Sequence, residues 1–331
     1  MFILIHVLAC GLLLATLAPA SGSDAPAIDA VAKQAFAPFP GKAAVAFTEL
    51  NDNGATPLFE LHGNERFAIG SSFKLFILGV QAEEVNADRR QLADVMTLQP
   101  QWIGPPHSEL AEWPIGSPVT LHTLALKMVS ISDNTATDHL LHLLGRKRVE
   151  AQMAVMGHSH PEWNRPLLAT REMVMLRDKN TGRLGLAYQK LDEPARRKFL
   201  VEKLSGTPNY EKLDFDAAAY DLAEWYATPM DMTRALAWLK QNTRRDRAAH
   251  PLRAILSVEP KLPHDARIWP YVGFKGGTED QLLCGNWLLQ HANGRWYSFH
   301  VFLNSPQEPL DRGKALKAIE QVFEAVQRAV E

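Results

Sequence analysis

Three short stretches carry residue types that could do chemistry. In "AIGSSFKLFILG" (68–79), Ser71 and Lys74 stand at i and i+3, the only S-x-x-K in the chain. A helix opening near Ser71 brings both side chains to one face. Serine is a weak nucleophile until its proton is removed, and a lysine whose charge is disfavoured by burial can remove it. The same lysine also reads as a surface residue on a long stem. In "SISDNTATDHLL" (130–141), Ser132-Asp133-Asn134 lies between two helical patterns, and Asp133 or Asn134 reads equally as a helix cap. In "YVGFKGGTED" (271–280), Lys275 ends a strand pattern and is followed by Gly276, Gly277 and Thr278, which also describes an ordinary strand-to-turn junction.

The elements that must hold these residues follow from hydrophobic periodicity and turn signals. Residues 27–37 form an amphipathic helix. "KAAVAFTEL" (42–50) and "TPLFELHG" (56–63) alternate about an Asn-Gly turn, a hairpin. The Ser71 stretch runs on as a helix. From about 84 to 230 the pattern is mainly helical, with Thr120 as an N-cap and Gly145 as a C-terminal stop. "EPARRKFLVEKL" and "TPMDMTRALAWLK" continue as helices. Strands return in "IWPYVGFKGG", "QLLCGNWLLQ" and "RWYSFHVFLN", the last two joined by "HANGR", and a helix over 311–330 closes the chain. The expected fold class is α/β (α+β). One five-stranded antiparallel sheet carries the terminal helices on one face and an all-α lobe beside it. The sheet lobe takes residues 26–83 and 231–331, and the helical lobe 84–230.

Composition restricts the partners. The 331 residues are 46% hydrophobic and 22% charged, with a formal net charge of −2, so nucleic acid and anionic membrane surfaces are not expected partners. The basic run "RRDR" (244–247) reads as a solvated helix end. Residues 1–20 contain no Lys, Arg, Asp or Glu and end Ala18-Pro19-Ala20, the pattern of a secretory signal cleaved after Ala20. The mature chain, 21–331, is then expected as a single catalytic domain, periplasmic or secreted, without stable membrane association and monomeric. It keeps one cysteine, Cys284, which reads as a small buried hydrophobe. His139, His142, His158 and His160 form no metal-ligand frame, so no metal and no cofactor are expected.

The three motifs together resemble the set shared by class A β-lactamases and penicillin-binding proteins, over nearly the whole mature chain. That resemblance implies an acyl-enzyme on Ser71, with Lys74 accepting its proton and Ser132 passing a proton to the leaving group. It implies that Asn134, Lys275, Gly277 and Thr278 bind substrate, with the backbone N–H groups of Ser71 and Thr278 as the oxyanion hole. The implied substrate is a small acyl compound: a β-lactam, or a related amide or ester. The implied function is β-lactamase-type hydrolysis. An esterase or peptidase of the same fold and a β-lactam-binding protein that deacylates slowly are the alternatives. Two features depart from the pattern. Gly276 lacks the hydroxyl usual after the lysine. The glutamate that activates the deacylating water is missing from "GHSHPEWNRPLLATREMVML" (157–176), where His160 takes its place and Glu162 and Glu172 are the substitute candidates. The interval from Ser132 to Lys275 is also long, with residues 176–225 as the excess, and Trp102 or Trp113 could line the cleft.

Overall fold

The computed structural model describes residues 25–52, 54–104, 108–181, 183–205 and 210–330. The expected leader and its cleavage point, like turn residue Asn53, lie outside the described residues. Nine strands occur among these: β1 Lys42–Asn51, β2 Gly54–Leu61, β3 Phe67–Ala68, β4 Val95–Thr97, β5 Pro118–Thr120, β6 Tyr226–Ala227, β7 Tyr271–Glu279, β8 Leu282–Gln290 and β9 Trp296–Asn304. Five form one antiparallel sheet in the order β2-β1-β9-β8-β7, as expected, and β3–β6 and β4–β5 are short separate pairs.

The α-helices are α1 Ala25–Phe36, α2 Lys74–Asn86, α3 Leu121–Ser130, α4 Asn134–Leu144, α5 Arg146–Val155, α6 Thr170–Leu176, α7 Arg183–Gln189, α8 Glu193–Lys203, α9 Pro229–Asn242, α10 Pro251–Leu256 and α11 Arg312–Arg328. Successive side chains of a strand point to opposite faces, so each sheet strand serves two cores. Val45, Phe47, Phe299 and Val301 pack on the terminal helices α1 and α11 through Ile28, Phe36, Val322 and Phe323. Ala44, Cys284, Leu288 and Phe302 face the helical layer instead, where α2 and α9 supply Phe76, Ile77, Leu236 and Leu239. Helix α2 is buried on nearly all its sides, as a helix apolar all round must be.

Local signals account for most boundaries. Thr120 caps α3 by accepting from Thr123 N at 3.1 Å, and Thr228 and Asp231 form a reciprocal capping box on α9. Gly145 ends α4 at φ +89°, a region that favours glycine. The run 244–247 is exposed just past α9. One boundary differs from expectation: Lys275 does not end its strand. The β7–β8 ladder continues through Gly277↔Cys284 to Glu279↔Leu282. Glycine's weak strand propensity is outweighed there by the register with β8.

The segment after α6 is tied down by one residue. The Arg177 side chain is fully buried and bonds Glu224 at 2.9 Å and Glu279, at the end of β7, at 2.6 Å. It also donates to the carbonyls of Asp216 (3.1 Å) and Ala217 (2.7 Å) and lies over the Phe215 ring. Residues 213–225 are thereby fastened against the end of the sheet. Removing the cation would leave two buried carboxylates facing each other. Arg177→Met is expected to lower unfolding free energy by about 3–5 kcal/mol in urea titrations; a loss under about 1 kcal/mol would mean that Arg177 does not hold this segment.

Candidate active site

Ser71 sits on a 3-10 turn, Gly70–Phe73, that leads directly into α2. The turn meets edge strand β7 backbone to backbone. A Cβ on Gly277 would lie 2.0 Å from Ile69 O and 2.7 Å from Ser71 N, so only glycine permits the approach. Gly70 is at φ +49° on the other side of this contact. The turn is anchored from below: Ala68 N donates to Asn304 Oδ1 at 2.8 Å, and Ile69 N to Trp225 O at 2.9 Å. Trp225 also stacks on Phe73 at 3.9 Å. Ser71 is left partly exposed in a cleft of about 170 Å³, lined also by Asn134, Thr170, Met173, Phe215 and Thr278.

Lys74, one turn on, is fully buried. Its Nζ donates to Ser132 O (2.7 Å), Ser132 Oγ (3.0 Å) and Asn134 Oδ1 (2.7 Å). Lys275 Nζ donates to the same Ser132 Oγ at 3.0 Å and to Gly276 O at 2.7 Å. Ser132 is held at φ +61°, a left-handed conformation a non-glycine residue rarely takes, and this aims both its oxygens at Lys74. The strain is sustained by Asp133. Its buried carboxylate caps α4 by accepting from Ala136 N (2.8 Å), and it also takes Ser108 Oγ (2.8 Å) and Leu110 N (3.0 Å).

The electrostatics follow from burial. Desolvation lowers the Lys74 pKa to about 7, while the nearby carboxylates of Asp138 and Asp133 pull the other way. Burial, and then the charge of Lys74, push Lys275 well below its ordinary value. Asp138 is raised to about 6 by burial, against the hydrogen bonds it accepts from Thr170 N and Arg171 N. A lysine near its pKa at neutral pH, one helical turn from a serine in a cleft, has what a general base needs.

The expected residues thus fall in two groups. Ser71, Asn134 and Thr278 line the cleft. Lys74, Ser132 and Lys275 are joined around one hydroxyl behind it. Gly276 and Gly277 are needed for space; a Cβ at Gly276 would come within 2.9 Å of Cys284 O and 2.6 Å of the Phe274 ring.

Several candidates are corrected. Glu162 is exposed and bonded to His160 at 2.9 Å. Glu172 is clamped by Arg146 at 2.7 and 2.8 Å and accepts from Ala169 N, so neither glutamate faces Ser71. His160 stacks on Trp163, away from the cleft. Trp102 stacks on His142, Trp113 is surface-exposed, and neither lines the cleft. Thr170 stands at the cleft instead, from the stretch where a glutamate was sought. Its hydroxyl donates to Asn134 O at 3.4 Å. Sequence reading missed Asp138, although its i+4 spacing from Asn134 on α4 was visible. It also missed Trp225 and Arg177, for which no local signal exists.

Solved structures of the same fold match nearly end to end. A β-lactamase from Sphaerobacter thermophilus is 22% identical with a TM-score of 0.62, covering 91% of this chain and 95% of that one. A β-lactamase from Xanthomonas campestris pv. campestris is 16% identical with a TM-score of 0.63, covering 94% and 100%. A PBP-A mutant, solved as an acyl-enzyme complex with penicillin G, is 18% identical with a TM-score of 0.61, covering 92% and 95%. The fold is that of the β-lactamases, and together with the family match it makes the chain a serine hydrolase of the β-lactamase fold. Residues 26–329 match the model of the β-lactamase enzyme family (Beta-lactamase2), and the chain belongs to that family. No curated protein matches it by sequence.

If Lys74 serves as base for Ser71 it must do so as the neutral amine, and acylation of Ser71 is then expected to rise with pH through a midpoint near 7. Stopped-flow measurement with a chromogenic cephalosporin checks this, and a flat profile from pH 5 to 9 would rule out Lys74 as the titrating base.

Proposed function

We propose that this protein is a class A-type serine hydrolase that acylates Ser71 with a β-lactam or a related amide or ester and then releases the acyl group to water. The observation that carries this reading is the buried Lys74 amine, set one turn from Ser71 and bonded to Ser132. Ser71 Oγ attacks the substrate carbonyl as Lys74 takes its proton. The N–H groups of Ser71 and Thr278 hold the oxyanion, worth roughly 3–4 kcal/mol per donor. Ser132, fed by the two lysines, gives a proton to the leaving nitrogen, and Asn134 binds the acyl side chain. Lys275 acts from behind Ser132, so it favours a substrate carboxylate through its field and through that hydroxyl. Phe215 and Ala217, from the segment fastened by Arg177, shape the acyl pocket. The leader-like residues 1–20 support export to the periplasm or medium.

A second reading is favoured by one observation. The stretch 158–176 gives the cleft Thr170, Met173 and Val174 but no carboxylate. The two carboxylates that do line it, Glu279 and Asp280, are each held by an arginine, Arg177 and Arg312. Without a base on the water, the acyl-enzyme is long-lived and the protein behaves as a β-lactam-binding one.

Electrospray mass spectrometry after mixing with penicillin G is expected to show an adduct on Ser71 that forms, is then lost to water, and is absent in Ser71→Ala; an adduct that persists for minutes would favour the second reading. Adduct formation in Ser71→Ala would refute the assignment, and absence of any adduct in the wild type, with turnover of a short-chain ester, would favour an esterase. Thr170→Glu places a carboxylate beside Ser71, and it is expected to shorten the adduct lifetime by about 10²-fold. An unchanged lifetime would mean that release is limited by something other than the missing base.

A further inference from the structure

A second cavity, of about 470 Å³, opens on the far side of Trp225 from Ser71. Its walls come from the ends of β1 and β9, the approach to β3, the 163–168 stretch and the excess segment. Four cations line it: Lys42, Arg66, Arg165 and Arg196. Among the described residues none of the four forms an ion pair with a carboxylate. Arg196 donates to the carbonyls of Tyr188 (3.3 Å) and Gln189 (2.9 Å), and Lys42 to that of Arg66. Elsewhere arginines such as Arg89, Arg197, Arg234 and Arg312 are tied to acids.

The acids facing this cavity are few. Asp221 and Glu224 line it. Glu224 is bonded to Arg177 and pushed by burial toward its neutral form. Glu65, which acts on Lys42, is held by His62 at 2.6 Å, and Glu162, near Arg165, by His160. Four positive groups therefore converge on one concave space whose wall carries two carboxylates, one of them already paired with Arg177, in a chain whose net charge is −2. Low-dielectric walls concentrate such a field.

Flat rings make up much of the remaining wall: Trp163, Tyr188, Tyr220 and Tyr226. The Arg66 guanidinium lies 3.7 Å from the Tyr226 centroid and 5.2 Å from that of Trp163, so its plane is already oriented by stacking. A guanidinium fixed in plane offers paired N–H donors to an oxyanion at little further entropic cost. Volume, aromatic lining and a few convergent charged groups are the marks of a small-molecule site.

We propose that this cavity is a binding site, separate from the Ser71 cleft, for a small anion carried on a flat ring: a phosphate or carboxylate group that Arg66 and Arg165 clamp while the ring packs among Trp163, Tyr188 and Tyr220. Its floor is Trp225, which stacks on Phe73, so an occupant lies one side chain from the catalytic turn.

Isothermal titration with phenyl phosphate, benzoate, inorganic phosphate and phenol tests this. Phenyl phosphate or benzoate is expected to bind saturably, at least about tenfold tighter than inorganic phosphate or phenol, a difference of about 1.4 kcal/mol. A preference for phenyl phosphate assigns the site to a phosphate ester and a preference for benzoate to a carboxylate, and either supports it. Arg66→Gln and Arg165→Gln are each expected to weaken binding about tenfold, with Arg165→Lys weakening it less and thermal midpoints unchanged. Lys275→Ala, which empties the Ser71 site of its deep cation, is expected to bind as the wild type does. The proposal is overturned if no ring anion binds saturably, if the two glutamine variants bind as the wild type does, or if Lys275→Ala abolishes binding.

Discussion

Two lysine amines share one serine hydroxyl. Lys74 and Lys275 each stand 3.0 Å from Ser132 Oγ, both out of water, and two full positive charges cannot be kept there at such a separation. The site must therefore hold fewer protons than two free lysines would, and that shortage is what makes a deprotonated amine available one helical turn from Ser71. It has a cost in folding. A lysine whose pKa is lowered in the folded state destabilises the fold fully below that lowered value. For Lys74 the penalty fades only as pH rises from about 7 toward 10.5.

The surrounding structure is arranged to sustain that cost. Asp133 and Asp138 supply buried negative charge, and both are held by backbone N–H groups rather than by cations that would neutralise them. The left-handed Ser132 is fixed between α3 and α4 by the same Asp133. Gly70 and Gly277 let the turn and β7 touch, which places Ser71 and Thr278 on one side of the cleft while Asn134 forms the other. Arg177 then fastens residues 213–225 to the end of β7, so that the cleft wall at Phe215 and Ala217 is tied to the strand carrying Thr278.

Much of this was legible in the sequence because it is local. The sheet strands, the hairpin, the cap at Thr120, the stop at Gly145, and the three motifs each declare themselves within a dozen residues. What stayed hidden depends on long-range contact. Trp225 is tied to the turn that carries Ser71 across more than 150 positions, and Arg177 gathers partners from 224 and 279. The two glutamates illustrate the same limit: Glu162 and Glu172 stand at suitable positions along the chain, but a base is defined by the direction its carboxylate faces. Arg146 turns Glu172 away, and Thr170, which carries no acid, takes the wall beside Ser71. β7 runs on to Glu279, past Lys275, because its two glycines do not close the strand but admit a neighbouring backbone.

For Lys74 to act as a base it must lose its proton near neutral pH. NMR of the protein labelled with ¹⁵N-lysine, with the Lys74 signal assigned by its loss in Lys74→Met, measures that directly. The structure predicts a side-chain resonance that titrates near pH 7. A Lys74 that titrates near the ordinary 10.5 would contradict the account, since the amine beside Ser71 would then be a cation throughout the working range.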